Sequence, residues 1–566
     1  MRSLGIAILL IVAAFYQPGA RNVHNETGNS GITVRQGMVV SAMKQASGAG
    51  LSILKKGGNA IDAAVATGFA LSVCYPEAGN IGGGGFMLIR MADGRTEVLD
   101  YREKAPLASR RDMYLDASGN VVQDLSTSTS LASGVPGSVA GLLEAHRKYG
   151  SLPFREVIQP AIDLAEKGFP LTAWQAESFN RGREDFTTRN RVRPRFVSRN
   201  PWKEGDTLRQ PELGATLMLI RDKGRDGFYD GSVAGMIVRQ MQRGNGIITA
   251  DDLKAYRPVW RAPVSGHFHG YTILTVPPPS GGGITLLQVL KMAEDNGIDK
   301  TSFHSVQSIH LIVECERRAF ADRSFFAGDA DFVKVPVETL LAAGYLDGRM
   351  KDYSPGSASL SDEISHGEPE APQHEETTHY SVTDKYGNAV STTTTLNGTF
   401  GNCIVVEGAG FLLNNEMDDF SVKPGVPNMY GLIGGEANAI YPGKRILSSM
   451  TPSIVTKDEK LVMVTGSPGG STIPTTVMQV ILNVVLYGMN IRDAVNAPRY
   501  HHQWLPDLIY VEDNALDGET KKRLEEMGHK FMKRGPIGSA NSIMRLSDGN
   551  YMSGEDKRGN NVAAGY

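Results

Sequence analysis

The stretch Thr377-Thr378-His379-Tyr380-Ser381-Val382-Thr383-Asp384 carries the first chemical suggestion in this 566-residue chain. From about Tyr353 to Glu376 the sequence is rich in Ser, Pro, Glu and Gly, with no apolar period of either kind. Such a segment buries too little surface to offset its ordering entropy, which predicts a mobile loop. From Thr378 onward the residues alternate as a strand does, with His379, Ser381 and Thr383 on one face and Thr378, Tyr380 and Val382 on the other. Lys385-Tyr386-Gly387-Asn388 then turns the chain, and Ala389 to Leu396 reads as the returning β-branched strand. Uncut, this is a threonine-rich hairpin after a surface loop. Cut before Thr377, it becomes a reactive centre. The new terminus would hold a nucleophilic hydroxyl beside a free α-amine, which titrates near roughly 7.7–8.0 and can act as a base at neutral pH. A threonine activated by its own terminal amine is a known form of covalent catalysis.

Other stretches invite sharper chemistry than their residues support. The run Gly82 to Gly85 lacks the Gly-Lys-Ser/Thr ending of a phosphate loop and leads into a strand, which points to tight backbone packing instead. Around Ser467 the segment almost forms a G-x-S-x-G elbow, but Thr465 stands at the first glycine position. Asn415 to Asp419 lacks the alternating acids and the twelfth-position glutamate of a calcium loop. His501 and His502 are sequence neighbours whose side chains point apart, with no suitably spaced third ligand for a metal. Seven arginines lie between Arg181 and Arg199, but Glu184 and Asp185 interrupt them, so a solvated helical face is expected rather than a nucleic-acid patch.

The elements that must position these residues belong to an ordinary globular chain. Hydrophobic content is 41% and net charge −3, which gives no general attraction to nucleic acid or anionic membrane. Cys74, Cys315 and Cys403 are too few and scattered for a disulfide framework, so buried thiols are expected. Arg2, the apolar run Leu4 to Phe15 and the small residues Gly19 and Ala20 read as a signal peptide over residues 1–20, although Pro18 suits the cleavage site poorly. A periplasmic or secreted location is the consequence, with an uncleaved anchor as the alternative. Met38 to Ser41 reads as a strand, and Ala46 to Lys56 and Ile61 to Cys74 as helices, the second within reach of Asn59 as a cap. Phe86 to Met91 and Thr96 to Tyr101 form a hairpin, and Val139 to Tyr149 and Phe154 to Lys167 are amphipathic helices. Val264 to Val276 restores strand character before helices over Ile284 to Asn296 and His304 to Arg323. Strands at both ends and helices between suggest two stacked sheets flanked by helices.

The stretch from Thr377 to Asp384 resembles the start of the small subunit of γ-glutamyltransferases, which are N-terminal-nucleophile hydrolases. The resemblance runs from about Val39 to Tyr566 and rests on several unusual motifs in one order. They are Gly79 to Phe86, Tyr101 to Pro106, Thr395-Leu396-Asn397, Asn414 to Asp419, Leu447 to Pro452 and Thr465 to Ser471. It implies an α+β fold, a four-layer αββα sandwich built from two fragments of one precursor. Cleavage between Glu376 and Thr377 would give a large subunit over residues 21–376 and a small one over 377–566, associated as a heterodimer. The chain departs from the family pattern at Lys557, where many members have Pro, and at Cys403, where a thiol is not expected.

The same resemblance assigns roles. Thr377 is the nucleophile and Thr395 orients it; Gly469 and Gly470 form the oxyanion hole, backed by a helix opening near Ile473. Arg102, with Ser448 and Ser449, holds the substrate α-carboxylate, while Asp419, assisted by Glu416 and Asn397, receives the α-ammonium. Pro424 to Ala439, with Tyr430 inside it, matches a lid loop. Substrates would be glutathione and other γ-glutamyl compounds, with water, amino acids or short peptides as acceptors; no cofactor, metal or nucleic acid is implied. The alternatives are a related acylase that removes a glutaryl side chain from cephalosporin-type amides, and an uncleaved, inactive γ-glutamyl-binding protein.

Overall fold

A computed structural model describes residues 31–365 and 377–566. The stretch read as a signal peptide and Glu376 therefore lie outside the described residues. Among the described residues two seven-stranded sheets dominate. One runs Val562–Gly565, Met38–Ser41, Thr378–Thr383, Ala389–Thr395, Gly84–Arg90, Thr96–Asp100 and Val259–Arg261. The other runs Thr33–Val34, Tyr551–Glu555, Asn541–Arg545, Lys460–Thr465, Ser453–Lys457, Tyr271–Thr275 and Val264–Phe268. Every pairing between neighbours in these two sheets is antiparallel.

Strand alternation assigns each sheet face to a separate core. In the first sheet Val39, Met87, Ile89, Tyr380, Val382 and Val390 pack outward into the cluster that contains the helices Lys44–Lys55, Ala60–Cys74 and Phe154–Lys167. Met38, Val40, Phe86 and Leu88, one residue out of phase, pack inward against Ile454, Val464 and Ile543 of the second sheet. That second cluster also takes in the helices Gly282–Asp295, Val306–Phe326 and Ile473–Val485. The period-2 pattern therefore yields helix, sheet, sheet and helix layers, as expected. The helix Ala60–Cys74 is buried along its whole length and opens on a capping box formed by Asn59 and Asp62.

Near Thr377 the space between the sheets is polar rather than greasy. His379 Nδ1 lies 2.9 Å from Thr393 Oγ1, and Ser381 Oγ donates to the Asn541 carbonyl at 2.8 Å. Ser391 Oγ donates to the Thr465 carbonyl at 2.9 Å, and Asn541 Nδ2 donates to that of His379 at 2.9 Å. Short hydroxyl-bearing side chains let the two sheets approach here and tie one to the other. They explain why this strand pair is rich in Ser and Thr instead of Val and Ile.

Two expectations need correction. The segment from Tyr353 is not loose throughout. Trp504 Nε1 donates to the carbonyls of Ser361 and Ile364, and Ile364 is buried in a cluster with Trp504 and Leu505. A few anchors set by tertiary contact override a composition that has no period of its own; residues 366–376 lie outside the described residues. The arginine-rich stretch is also not one helical face. Arg181 ends the helix Ala173–Arg181, a second helix covers only Arg183–Arg189, and beyond it Arg191 pairs with Glu407 and Arg195 with Glu212. The three cysteines are buried free thiols.

Candidate active site

Thr377 is 5% exposed and stands at the head of the strand Thr378–Thr383, where its neighbour Thr378 pairs with Thr394. Thr395 ends the adjacent strand, opposite Gly84, and its Oγ1 accepts from the Asn397 N–H at 2.7 Å. The glycine run builds this corner by close approach. A Cβ on Gly83 would lie 2.0 Å from the Thr395 carbonyl oxygen, and one on Gly82 2.0 Å from that of Leu412. A side chain at Gly83 would push the glycine run away from the strand that ends at Thr395, and one at Gly82 would push it away from Leu412.

On the other flank Gly469 and Gly470 take φ of +132° and +50°, the first a conformation that L side chains avoid. They lead through the turn Gly470–Thr472 into the helix Ile473–Val485, so two peptide N–H groups sit at a helix start. Ser467 is committed elsewhere: it donates to the Pro468 carbonyl and accepts from the Ser539 N–H. That engagement removes it as a rival nucleophile. His379, two residues beyond Thr377, is pushed by burial down to about 3 and remains neutral, both ring nitrogens occupied by hydroxyls.

A cavity lined by Arg102, Thr377, Thr395, Asn397, Asp419, Tyr430, Ser448, Ser449 and Gly470 brings most of the expected site residues together. Arg102 is the hub. Its Nε donates to the Ile446 carbonyl at 3.2 Å, and Nη2 donates to the Leu447 carbonyl and Asp419 Oδ2, both at 2.8 Å. Its Nη1 lies 2.6 Å from Glu416 Oε2 and 3.3 Å from Glu103 Oε2. Three carboxylates thus crowd one guanidinium away from water. Burial raises Glu103 to about 7 and Asp419 to about 6 against the pull of Arg102, and holds Glu416 well above its ordinary range. Such a cluster is short of positive charge, and Glu416 Oε1 is buried without a hydrogen-bond partner. An ammonium arriving at Asp419 would supply positive charge; Glu416, fully buried, does not itself line the cavity.

Ser448 and Ser449 are held against the turn Pro277 to Gly283. Gly281 N–H donates to the Ser448 carbonyl at 2.9 Å, and a Cβ on Gly282 would meet the Ser449 carbonyl at 2.4 Å. Ser449 Oγ accepts from Arg323 Nη2 at 2.7 Å. Arg323 was not singled out from the sequence, being one of several arginines on a long helix. It is buried, which lowers it to about 10, with Asp419 opposing that shift. Glu103 was likewise missed, although it comes directly after Arg102.

The expected lid lies over this cavity. Tyr430 Oη donates to the Asn397 carbonyl at 2.6 Å, Asn428 Nδ2 to Asp419 Oδ1 at 2.8 Å, and Met429 N–H to Asp418 Oδ2 at 2.8 Å. The space left beneath is about 20 Å³, room for about one water. Any ligand larger than a water needs the lid to lift, and one that reaches Asp419 Oδ1 displaces Asn428. Away from this site, His310, Glu314 and His529 come within ligand distance of one another. Glu314 already serves Arg318 and Ser359, and the two rings bond each other at 2.8 Å, so the trio reads as a packed polar network.

The gamma-glutamyltranspeptidase family profile matches residues 46–566. The chain belongs to that family. As a member, it is 47% identical over 538 residues to the glutathione hydrolase proenzyme of Escherichia coli K12, covering 94% of this chain and 93% of the relative. Among solved structures, cephalosporin acylase from Bacillus halodurans superposes with a TM-score of 0.84 at 27% identity, over 97% of this chain and 99% of the other. A chain of Helicobacter pylori γ-glutamyltranspeptidase superposes with a TM-score of 0.57 at 41% identity, over 61% of this chain and 97% of its own. The family fold, an N-terminal-nucleophile sandwich, is the layered arrangement described above.

Proposed function

We propose that this chain is a γ-glutamyltransferase and glutathione hydrolase, made as a precursor that cleaves itself between Glu376 and Thr377. The observation that carries the reading is the placement of buried Thr377 on the same cavity as Arg102, Asp419 and the Ser448–Ser449 pair. In the precursor, Thr377 Oγ attacks the carbonyl carbon of its own preceding residue; the C–N bond breaks and the Oγ proton ends on the freed Thr377 nitrogen. Water then hydrolyses the resulting ester to release Oγ and the Glu376 carboxylate. Once freed, its α-amine takes the Oγ proton as the hydroxyl attacks the γ-carbonyl of the donor. The N–H groups of Gly469 and Gly470 receive the oxyanion, and loss of such a donor typically costs about 2.7–4 kcal/mol in the barrier. The amine then passes the proton to the leaving nitrogen, the γ-glutamyl ester remains on Thr377, and water or a second amine resolves it.

Recognition of the donor's amino-acid end uses the charges already gathered. Arg102 and the Ser448 and Ser449 hydroxyls take the α-carboxylate; Asp419, Glu416 and Asn397 take the α-ammonium. The crowding of acids favours a substrate that brings an ammonium, which a glutaryl side chain lacks, so a γ-glutamyl donor is preferred over a cephalosporin-type one. The two fragments stay together as a heterodimer, because the Thr378–Thr383 strand of one lies between strands of both. No helix among the described residues is long and apolar enough to cross a membrane. Thr377→Ala tests the proposal: it should run as one polypeptide on a denaturing gel, and a variant that still divides at this bond rules self-processing out.

A further inference from the structure

Three buried side chains that the proposed reaction leaves without a role join the lid to the helix behind Gly469 and Gly470. Thr472 closes the turn before that helix, donating from Oγ1 to the Gly469 carbonyl at 2.7 Å. Thr475, in the first turn of the helix Ile473–Val485, is 1% exposed. Its Oγ1 lies 3.0 Å from the Thr472 carbonyl and 2.9 Å from His501 Nδ1. His501 Nε2 lies 3.0 Å from Gln503 Oε1. Gln503 Nε2 in turn faces three carbonyls, those of Gly431 and Leu505 at 3.3 Å and that of Tyr430 at 3.4 Å. Tyr430 and Gly431 belong to the lid, so a continuous line of polar contacts runs from lid to oxyanion turn.

The donors and acceptors along this line fix one another. Carbonyls only accept, so the Gln503 amide presents its NH2 to them and its oxygen to His501. That oxygen also only accepts, which puts the ring proton on Nε2. Burial pushes His501 down to about 3, so the ring is neutral and Nδ1 is bare. The Thr475 hydroxyl therefore donates to it. The surroundings leave these groups little freedom. The His501 ring sits 5.6 Å from Phe320, edge to face, and 6.1 Å from Tyr510, nearly stacked. Gln479 Nε2 donates to the Tyr500 carbonyl at 2.7 Å and the Thr475 carbonyl at 3.1 Å, holding the strand Tyr500–His501 against the helix. Phe320 also shares a buried cluster with Ile433 of the lid.

We infer that Gln503, His501 and Thr475 are positioning residues that set the oxyanion turn according to the seat of the lid. The inference rests on the γ-glutamyltransferase reading and deepens it, because lid closure then contributes to the rate of acyl transfer as well as to retention of the donor. Lifting the lid takes away two of the three carbonyls that orient the Gln503 amide. His501 then lacks a fixed acceptor, and the Thr475 hydroxyl is free to turn to the Thr472 carbonyl, 3.0 Å away in the turn Gly470–Thr472. One hydroxyl with two alternative acceptors is a two-state element that the lid and the turn both bias.

The test joins kinetics with hydrogen exchange. Thr475→Val replaces the hydroxyl by a methyl of the same shape. It should lower kcat for hydrolysis of γ-glutamyl-p-nitroanilide about fivefold, the size of one neutral hydrogen bond, and move KM less than about twofold. Thr475→Ser keeps the hydroxyl and should restore kcat. The lid amides from Asn428 to Leu432 should exchange about fivefold faster in Thr475→Val, although Thr475 is on the far side of His501 from them. Gln503→Leu should speed exchange of the Thr472 amide by a similar factor, since coupling is reciprocal. The double variant should lose no more kcat than the weaker single variant, because either substitution breaks the same line. Exchange needs no activity and is read on the uncleaved chain if a variant does not mature. Lid amides at wild-type rates in Thr475→Val, or kcat losses that multiply in the double variant, overturn this inference alone. A wild type that matures but does not release p-nitroaniline overturns the γ-glutamyltransferase reading and this inference with it.

Discussion

Replacing Asp419 with Asn isolates the charge that the proposed site most depends on. The amide keeps the shape of the carboxylate, and an oxygen remains to accept from Arg102 Nη2, now 2.8 Å away. The substitution removes an anion for the substrate α-ammonium. A hydrogen bond to a charged group contributes about 1.5–3 kcal/mol, so kcat/KM for γ-glutamyl-p-nitroanilide should fall by roughly 10- to 150-fold. The glutaryl anilide has no ammonium, and its kcat/KM should change by less than about threefold, so the discrimination between the two donors collapses. Stability should move the other way. Burial raises Asp419 to about 6, so its charged form is disfavoured by folding. The associated stability is fully present below the ordinary carboxylate range near about 3.9 and is lost as pH rises through about 6. The asparagine does not titrate, so its melting temperature relative to wild type should climb between pH 4 and pH 7, as thermal unfolding at several pH values would show. Equal losses on both anilides would refute the ammonium assignment. A variant that melts lower at pH 7 than at pH 4, relative to wild type, would refute the account of the crowded acids.

Other consequences can be checked with the same anilide. Removing Arg323 as Met leaves the Ser449 hydroxyl without its 2.7 Å donor and withdraws a cation from beside Asp419, so KM should rise about tenfold or more while the two-fragment pattern persists. Tyr430→Phe removes the 2.6 Å tether between lid and Asn397 carbonyl. About 1 kcal/mol lost from the closed lid shifts its equilibrium roughly fivefold toward open, which should raise hydrolysis relative to transfer in an acceptor titration. Gly469→Ala forces a side chain onto a φ of +132° beside the oxyanion, and a mature enzyme of this kind should lose about 100-fold in kcat. Since Asp419 and Glu103 are raised to about 6 and 7, donor KM should increase as pH falls through that range and both become protonated.

Much of this was legible in the residues, for identifiable reasons. The strand alternation of Thr378 to Thr383, the Asn59 cap and the glycine run are local signals, and each governs the local structure it suggested. The layering of two sheets was legible only as a suggestion, because pairing between Met38–Ser41 and Thr378–Thr383 joins residues more than 300 positions apart. Ser361 to Ile364 misled because their order comes from Trp504, far along the chain. Arg323 and Glu103 were overlooked for a related reason. A buried arginine on a helix rich in arginine has no distinguishing sequence pattern, and its value lies in what the tertiary fold sets beside it. A larger cavity beside Thr377 is likewise lined by residues as far apart in sequence as Ala42 and Asn561.

The central claim is that one severed peptide bond turns Thr377 into both nucleophile and base. Sequencing the amino terminus of the smaller mature fragment, with its intact mass, tests that claim most directly. Thr377 should be the first residue of that fragment. A fully active enzyme whose small fragment begins elsewhere, or whose chain is uncut, would contradict it.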